Sequence, residues 1–190
     1  MLKCISDPSP KTDWFDEWTI KNLIVLHGTA GLTYTGIDAA LDIEDRINVH
    51  YVITRDGLIR QRFPESGWAY HTGYKESSQR SIGIELESWV IAQKLDGKFY
   101  NAGYNFKKEI PADEILELQP FRGIKYYHAL TKKQKDVLYL LILELQSRHP
   151  IPADWHREIN SLPTAQKKGI ITHAVIKSTR YDYPPDYPLL

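Results

Sequence analysis

Apolar residues along the chain form short runs that predict a sheet of about five strands. Residues 22–27 are apolar and β-branched, which is typical of a buried strand. Two apolar segments within 49–63 flank an Asp-Gly pair, and this pattern predicts a hairpin. Residues 81–87 alternate between apolar and polar, as in a strand with two different faces. Residues 169–173 give the last predicted strand.

Two helices are predicted beside these strands. Residues 36–46 carry apolar side chains at helical spacing. A second helix begins after Thr131, which forms a capping box with Gln134, and it ends near Pro150. Its predicted core positions are Val137, Leu138, Leu141 and Leu145. The order of elements favours an α/β single domain in which helices flank a central mixed sheet.

The remaining segments give the expected domain organisation. Residues 1–19 are rich in Asp, Pro and Ser and are interpreted as an extended N-terminal arm. Residues 20–190 form the predicted domain. Within it, residues 90–130 are polar and weakly patterned, with several Gly and Pro residues. We interpret this stretch as a surface excursion that frames a cleft.

Composition narrows the classes of function. The 190 residues suit one domain, and 24 basic residues balance 24 acidic ones, so non-specific nucleic-acid binding has no electrostatic support. Cys4 is the single cysteine, which rules out an internal disulfide. No apolar run is long enough for a membrane helix, and the N-terminal residues show no signal peptide. We therefore expect a chain that is cytoplasmic as synthesised and reaches a cell wall only after release or export.

Candidate chemistry lies at the ends of predicted strands. His27 and His173 each end a strand, and Asp182 follows nine residues after the second histidine. Two imidazoles, one carboxylate and an open position for water form the ligand set of a catalytic zinc site. A lone strand-end histidine is more often a packing residue, and no HExxH motif is present. Glu85 lies on an apolar strand, where a carboxylate needs a partner or a function such as general base. Glu87 is expected at a solvated edge.

Four sequence blocks resemble the N-acetylmuramoyl-L-alanine amidase type 2 family. In order they are His27-Gly28-Thr29-Ala30-Gly31, His50-Tyr51-Val52-Ile53-Thr54-Arg55-Asp56-Gly57, Trp68-Ala69-Tyr70-His71-Thr72-Gly73 and Ser81-Ile82-Gly83-Ile84-Glu85-Leu86-Glu87. The resemblance covers roughly residues 20–90 and 130–185. Each block alone is a weak signal, but four in this order, followed by a late histidine and an acidic residue, are specific.

The resemblance implies a central mixed sheet with a zinc cleft at one end. It also implies a zinc-dependent amidase that cleaves the bond between the lactyl group of muramic acid and L-alanine in peptidoglycan or muropeptides. His27, His173 and Asp182 match the zinc ligands of the family. Glu85 matches the catalytic acidic residue. Arg180 matches the position that stabilises the oxyanion, where relatives often have Lys, so the charge is kept but its geometry differs.

Other positions follow from the same resemblance. His71 lies in a block that borders the substrate cleft, and we expect His71, Trp68 and Thr29 to contact the substrate. Asp186 is a rival to Asp182 as third ligand, and we favour Asp182 because its spacing from His173 is closer to that of the family. Some relatives carry a catalytic Tyr where this chain has Val49, so no tyrosine assists from that position.

Three alternatives to this enzyme stay open at the level of sequence. A family member that lacks a zinc ligand would be a non-catalytic peptidoglycan-binding module, and the acidic third-ligand candidate argues against it. The chain could also be a regulator that binds another protein, or a different zinc hydrolase with the same ligands. The sequence does not distinguish intact sacculi from recycled muropeptides as substrate. It leaves the stem-peptide preference and the oligomeric state open, with a monomer favoured.

Overall fold

The computed structural model describes residues 2–31, 46–102, 108–158 and 167–189. The helix predicted at 36–46 lies almost entirely outside the described residues. In chain order the described elements are β1 (Cys4–Ser6), β2 (Leu23–Gly28), β3 (Tyr51–Ile53), β4 (Ile59–Gln61), α1 (Lys75–Gln79), β5 (Ser81–Leu86), β6 (Ala92–Leu95), β7 (Lys98–Asn101), β8 (Glu109–Ile110), β9 (Ile115–Phe121), β10 (Ile124–His128), α2 (Lys132–Arg148), β11 (Trp155–His156), β12 (Gly169–Thr172) and α3 (His173–Ile176).

The central sheet of the described chain is mixed and has the strand order β1-β4-β3-β5-β2-β12-β11. The β3–β4 hairpin pairs antiparallel, and the other neighbours pair parallel. The predicted mixed α/β architecture is therefore confirmed. The expected size of about five strands was an underestimate. The two additional edge strands, β1 and β11, are three and two residues long, which is too short to produce a readable alternation.

Both faces of this sheet are covered by apolar side chains. In β2, Leu23, Ile24, Val25 and Leu26 are all fully buried, as expected for a strand in the middle of a sheet with two covered faces. Ile24 and Leu26 belong to the larger core cluster, together with the buried face of α2. Leu23 and Val25 pack on the opposite face against residues of β12 and α3.

Helix α2 agrees closely with its prediction. The side-chain oxygen of Thr131 accepts from the backbone N–H of Gln134, and the reciprocal bond completes the capping box. Its buried residues include Leu138, Leu141 and Leu145, and Val137 packs at the margin of the core. Among the described helices, none combines the length and apolar character that crossing a bilayer requires.

The N-terminal residues are packed onto the domain instead of forming a free arm. Strand β1 extends the edge of the central sheet by parallel pairing with β4. Further along, Trp14 stacks on Phe63, and Phe15 stacks on Trp68 at a centroid distance of 3.9 Å. The composition of this segment indicated extended backbone but gave no sign of these partners, which are distant in sequence.

The stretch 90–130 is more ordered than the sequence predicted. Its described residues form a three-strand antiparallel sheet, β6-β7-β8, and the β9–β10 hairpin. Four of these five strands have exposed or half-buried residues along most of their length. Strands with little burial lack a strong apolar alternation, and this explains why the pattern was not recognised.

Candidate functional site

The order of parallel strands brings the candidate residues to one edge of the sheet. In the register of β2 and β5, His27 is opposite Glu85. In the register of β12 and β2, Thr172 is opposite Leu26, so His173 follows beside His27. The carboxyl ends of neighbouring parallel strands are where α/β sheets usually place their sites.

Three side chains converge at this edge. Possible ligand atoms of His27, His173 and Asp182 all lie within 4.8 Å of one another. The two Nδ1 atoms of the histidines are 3.1 Å apart, and Nδ1 of His173 is 3.0 Å from Oδ2 of Asp182. Both histidines are 4% exposed. The donor set is that of a divalent metal with three protein ligands.

A chain of hydrogen bonds determines the tautomer of His27. The hydroxyl of Ser81 donates to the carbonyl of Ser77 at 2.5 Å, so its oxygen accepts from Nε2–H of His71 at 3.0 Å. Nδ1 of His71 is then unprotonated and accepts from Nε2–H of His27 at 3.0 Å. The proton of His27 is therefore on Nε2, and its Nδ1 lone pair points toward the cluster.

The second histidine is oriented in the same way. Nε2 of His173 lies 3.3 Å from the backbone carbonyl of Thr72, which can accept a hydrogen bond from this nitrogen. Its Nδ1 faces Nδ1 of His27 and Oδ2 of Asp182. Metal-bound histidines characteristically donate their other N–H to a carbonyl or a similar acceptor.

The electrostatics of the cluster fit a bound cation. Burial, followed by the nearby rings of His173 and His71, holds the pKa of His27 well below its ordinary value, which favours the neutral form that binds metal. Oδ2 of Asp182 is buried, and Nδ1 of His173 lies 3.0 Å from it. Two ring nitrogens and a carboxylate oxygen that face one another at these distances are the donors that a divalent cation uses.

Glu85 lies in the same cleft, a cavity of about 150 Å³ that is also lined by Arg180. Its Oε2 atom is buried without a hydrogen-bond partner. Burial, followed by the charge of Asp182, raises the pKa of Glu85 to about 8, and Arg180 partly opposes this shift. A carboxyl group of this kind can exchange a proton near neutral pH, as a general base or acid requires.

A glycine in β5 allows His71 to reach the cluster. A Cβ atom at Gly83 would lie 2.9 Å from Nδ1 of His71 and 3.0 Å from a methyl group of Val49. Any other residue at position 83 would displace the His71 ring. The glycine in the block 81–87 therefore belongs to the support of the site, because His71 holds His27.

Trp68 and Thr29, which we expected to contact the substrate, lie outside the described cleft. Trp68 is 1% exposed and is packed against Phe15, and its indole N–H donates to Glu17. The hydroxyl of Thr29 is engaged with backbone groups of Gly31 and Ser88. Neither residue lines the described cleft. The observed contacts of both residues are with other parts of the protein, and their contact with the substrate stays a prediction.

His71, in contrast, does line the cleft, although both of its ring nitrogens are used by protein partners. Its observed contacts are those of a support for His27. Of the two candidate third ligands, Asp182 joins the histidines, whereas Asp186 is exposed and lies near Tyr127, whose pKa its charge raises.

Glu87 does not lie at a solvated edge. It is 6% exposed, and its carboxylate accepts from the backbone N–H of Arg55 at 2.7 Å. The chain turns at the end of β5, so the alternation of the strand does not continue to this residue.

Sequence reasoning missed three supports of the site. Ser81, through His71, determines the tautomer of His27, and the carbonyl of Thr72 lies 3.3 Å from Nε2 of His173. Arg122, in the turn of the β9–β10 hairpin, donates to the carbonyls of Ala174, Lys177 and Arg180. A backbone carbonyl carries no sequence signal, and nothing in the local pattern relates Arg122 to a loop more than 50 residues away.

Comparison with solved structures gives the same fold. The chain is similar to AmiD from E. coli solved with anhydro-N-acetylmuramic acid-L-Ala-D-gamma-Glu-L-Lys, with 20% identity and a TM-score of 0.54, over 84% of this chain and 50% of that one. It thus spans half the length of that relative. LysC from Clostridium intestinale URNW, an N-acetylmuramoyl-L-alanine amidase, matches with 15% identity and a TM-score of 0.53, over 99% and 93% of the two chains.

A selenomethionine derivative of AmpD matches with 18% identity and a TM-score of 0.55, over 100% of this chain and 90% of that one. No curated protein sequence matches the chain. The model of one family, described as N-acetylmuramoyl-L-alanine amidase, matches residues 18–185 and so covers most of the sequence. The chain therefore belongs to the N-acetylmuramoyl-L-alanine amidase family.

Proposed function

We propose that this protein is a zinc-dependent amidase that hydrolyses the amide bond between the lactyl group of muramic acid and L-alanine in peptidoglycan or muropeptides. The observation that carries the proposal is the cluster of His27, His173 and Asp182, in which two Nδ1 atoms and a carboxylate oxygen face the same place. This donor set suits zinc, and three protein ligands leave one position open for water.

Within this proposal His27, His173 and Asp182 hold the metal. When bound there, zinc would supply Lewis acidity and make an attacking water more acidic. The carboxylate of Glu85 takes up the proton of the attacking water at its unpartnered oxygen. The guanidinium of Arg180 lines the cleft and stabilises the negative charge that develops on the carbonyl oxygen.

The substrate class is supported by family membership and by one structural neighbour. AmiD was solved with a muramic acid derivative that carries L-Ala, D-γ-Glu and L-Lys. A substrate of this type contains the lactyl–alanine amide, so we extend the same bond class to this chain. Either intact sacculi or released muropeptides present that bond.

Product analysis tests the proposal directly. Purified protein loaded with zinc is incubated with intact sacculi and with anhydro-muropeptides, and the products are identified by mass spectrometry. Free stem peptides that begin with L-alanine are expected, and a chelator should abolish their formation. The His173→Ala variant should lose both the metal and the activity. Binding of sacculi without any released peptide would instead identify a recognition module, and cleavage at another bond would identify a different hydrolase.

A further inference from the structure

A second, larger cavity lies between the two small sheets of the segment 90–130 and the loop that carries Asp182. Its volume is about 540 Å³, within the range of small-molecule sites. Apolar and aromatic side chains dominate its wall, among them Ile91, Ala102, Pro120, Ile124, Tyr126 and Tyr181. No Asp or Glu of the described chain lines it.

Shared residues connect this cavity to the metal cleft. A third cavity of about 190 Å³ lies between them. It shares Arg180 and Asp182 with the metal cleft, and Ile91 and Tyr181 with the large cavity. The three cavities are therefore neighbours, in an order that starts at the candidate reacting centre.

We propose that the large cavity binds a sugar of the glycan strand, one residue beyond the muramic acid, which would occupy the intermediate cavity. This inference rests on the proposed function. A pyranose ring with an N-acetyl group has an apolar face and a methyl group that suit the rings of Tyr126 and Tyr181, while its hydroxyl groups stay near solvent. The segment 90–130 thereby determines preference for substrates with at least two sugars.

The stem peptide fits this cavity less well. Beyond L-alanine the peptide of the AmiD ligand carries acidic D-γ-Glu, and an apolar wall would have to desolvate such a charge. The two lysines that line the cavity are already engaged: Lys125 pairs with Glu117 at 2.8 Å, and Lys94 lies 5.3 Å from the centre of the Phe99 ring. A neutral saccharide needs no such partner.

Two substrates with the same peptide test the assignment. One carries N-acetylglucosaminyl-N-acetylmuramic acid, and the other carries N-acetylmuramic acid alone. For Tyr126→Ala we expect kcat/KM on the disaccharide substrate to fall roughly 3- to 10-fold through KM. The single-sugar substrate should be cleaved as by the wild type. Ala102→Trp fills the cavity from an exposed position and should produce the same selective loss without removing a packed side chain.

Tyr139→Ala is the matched control, because Tyr139 is a 50% exposed tyrosine on α2 that does not line the cavity. Equal losses on both substrates, or no loss, would overturn the saccharide site. A loss that instead follows peptide length would assign the cavity to the stem peptide.

If the zinc-loaded wild type cleaves neither substrate, the proposed function fails. Calorimetric binding of both substrates then decides the site, because only a saccharide site makes Tyr126→Ala bind the disaccharide substrate more weakly than Tyr139→Ala does while both variants bind the single-sugar substrate equally.

Discussion

At the scale of single residues, the site combines groups that would be unfavourable elsewhere. Glu85 has a buried carboxylate oxygen without a partner, and the Nδ1 atoms of the two buried histidines lie 3.1 Å apart. Such arrangements cost stability unless a ligand or a reaction uses them. Their coincidence in one cleft is therefore stronger evidence than any of the three residues alone.

The role of Glu85 can be separated from metal binding. Glu85→Gln keeps the shape of the side chain but removes its capacity to take up a proton. We expect turnover to fall by about 100-fold or more, in the range of general base catalysis, while zinc content measured by mass spectrometry stays at the wild-type level. Glu87→Gln is the control, because it retains an oxygen that can accept from Arg55. Full activity of Glu85→Gln would remove this residue from the mechanism.

Lys21 gives a pH dependence that is independent of the metal site. Its side chain is fully buried and donates to the carbonyls of Gly67 and Gln79, both at 2.7 Å. Burial lowers the pKa of Lys21 to about 7, although the charge of Glu65 opposes the shift. Between pH 7 and about 10 the unfolded chain binds more protons than the folded one, so the free energy of unfolding rises with pH.

We expect this gain to be of the order of a few kcal/mol in denaturant titrations between pH 7 and 10. Lys21→Met should be less stable overall, because two carbonyls lose their donor, and its stability should depend less on pH over this range. If the free energy of unfolding changes with pH in the same way in the wild type and in Lys21→Met, Lys21 keeps an ordinary pKa in the folded protein.

At the scale of elements, the β9–β10 hairpin holds the segment that carries two candidate ligands. Arg122 lies in its turn and donates to the carbonyl of Ala174 at 3.0 Å and to those of Lys177 and Arg180. These carbonyls belong to the short helix α3, which begins at His173, and to the loop that leads to Asp182. A cation at the C-terminal end of a helix satisfies carbonyls that have no partner within the helix.

We therefore expect Arg122→Ala to weaken zinc binding by about 10-fold or more, in the range seen for residues that support metal ligands. Titration against a chromophoric chelator measures this change. Arg122→Lys should recover part of the affinity, because one ammonium can reach fewer of the three carbonyls. Arg157→Ala removes an exposed arginine near Trp155 and serves as the control. Equal zinc affinity of Arg122→Ala and the wild type would limit the hairpin to a packing role.

At the scale of the whole molecule, metal binding should be coupled to global stability. The candidate ligands come from β2, α3 and the C-terminal loop, so an ion would connect segments that are far apart in sequence. At a free zinc concentration about 100 times the Kd, binding adds about 2.7 kcal/mol, or a Tm increase of roughly 5–10 °C for a chain of this size. Thermal unfolding with and without chelator measures this increase.

The His173→Ala variant is the internal control for that measurement. It should show little or no increase in Tm with zinc, because one of the three ligands is missing. An equal zinc-induced increase in the wild type and the variant would place the stabilising ion elsewhere on the protein.

The amino-acid sequence alone was sufficient for the parts of the fold that repeat a local pattern. The buried strand at 22–27, the Asp-Gly hairpin, a strand over most of 81–87 and the capped helix α2 are all present, because an apolar run, a turn pair and a helical spacing are each local signals within the element that they predict. The histidines at strand ends and the late aspartate were also recognisable from their types and order.

Tertiary structure alone decided the rest. The convergence of Asp182 with the two histidines, the tautomer of His27, the packing of Trp68 and the ordered sheets within 90–130 depend on contacts between segments far apart in the chain. A local pattern reports which face of an element is buried, but it carries no information about which backbone carbonyl or side chain will lie against that face. That information arises only when the strands pair and their ends meet.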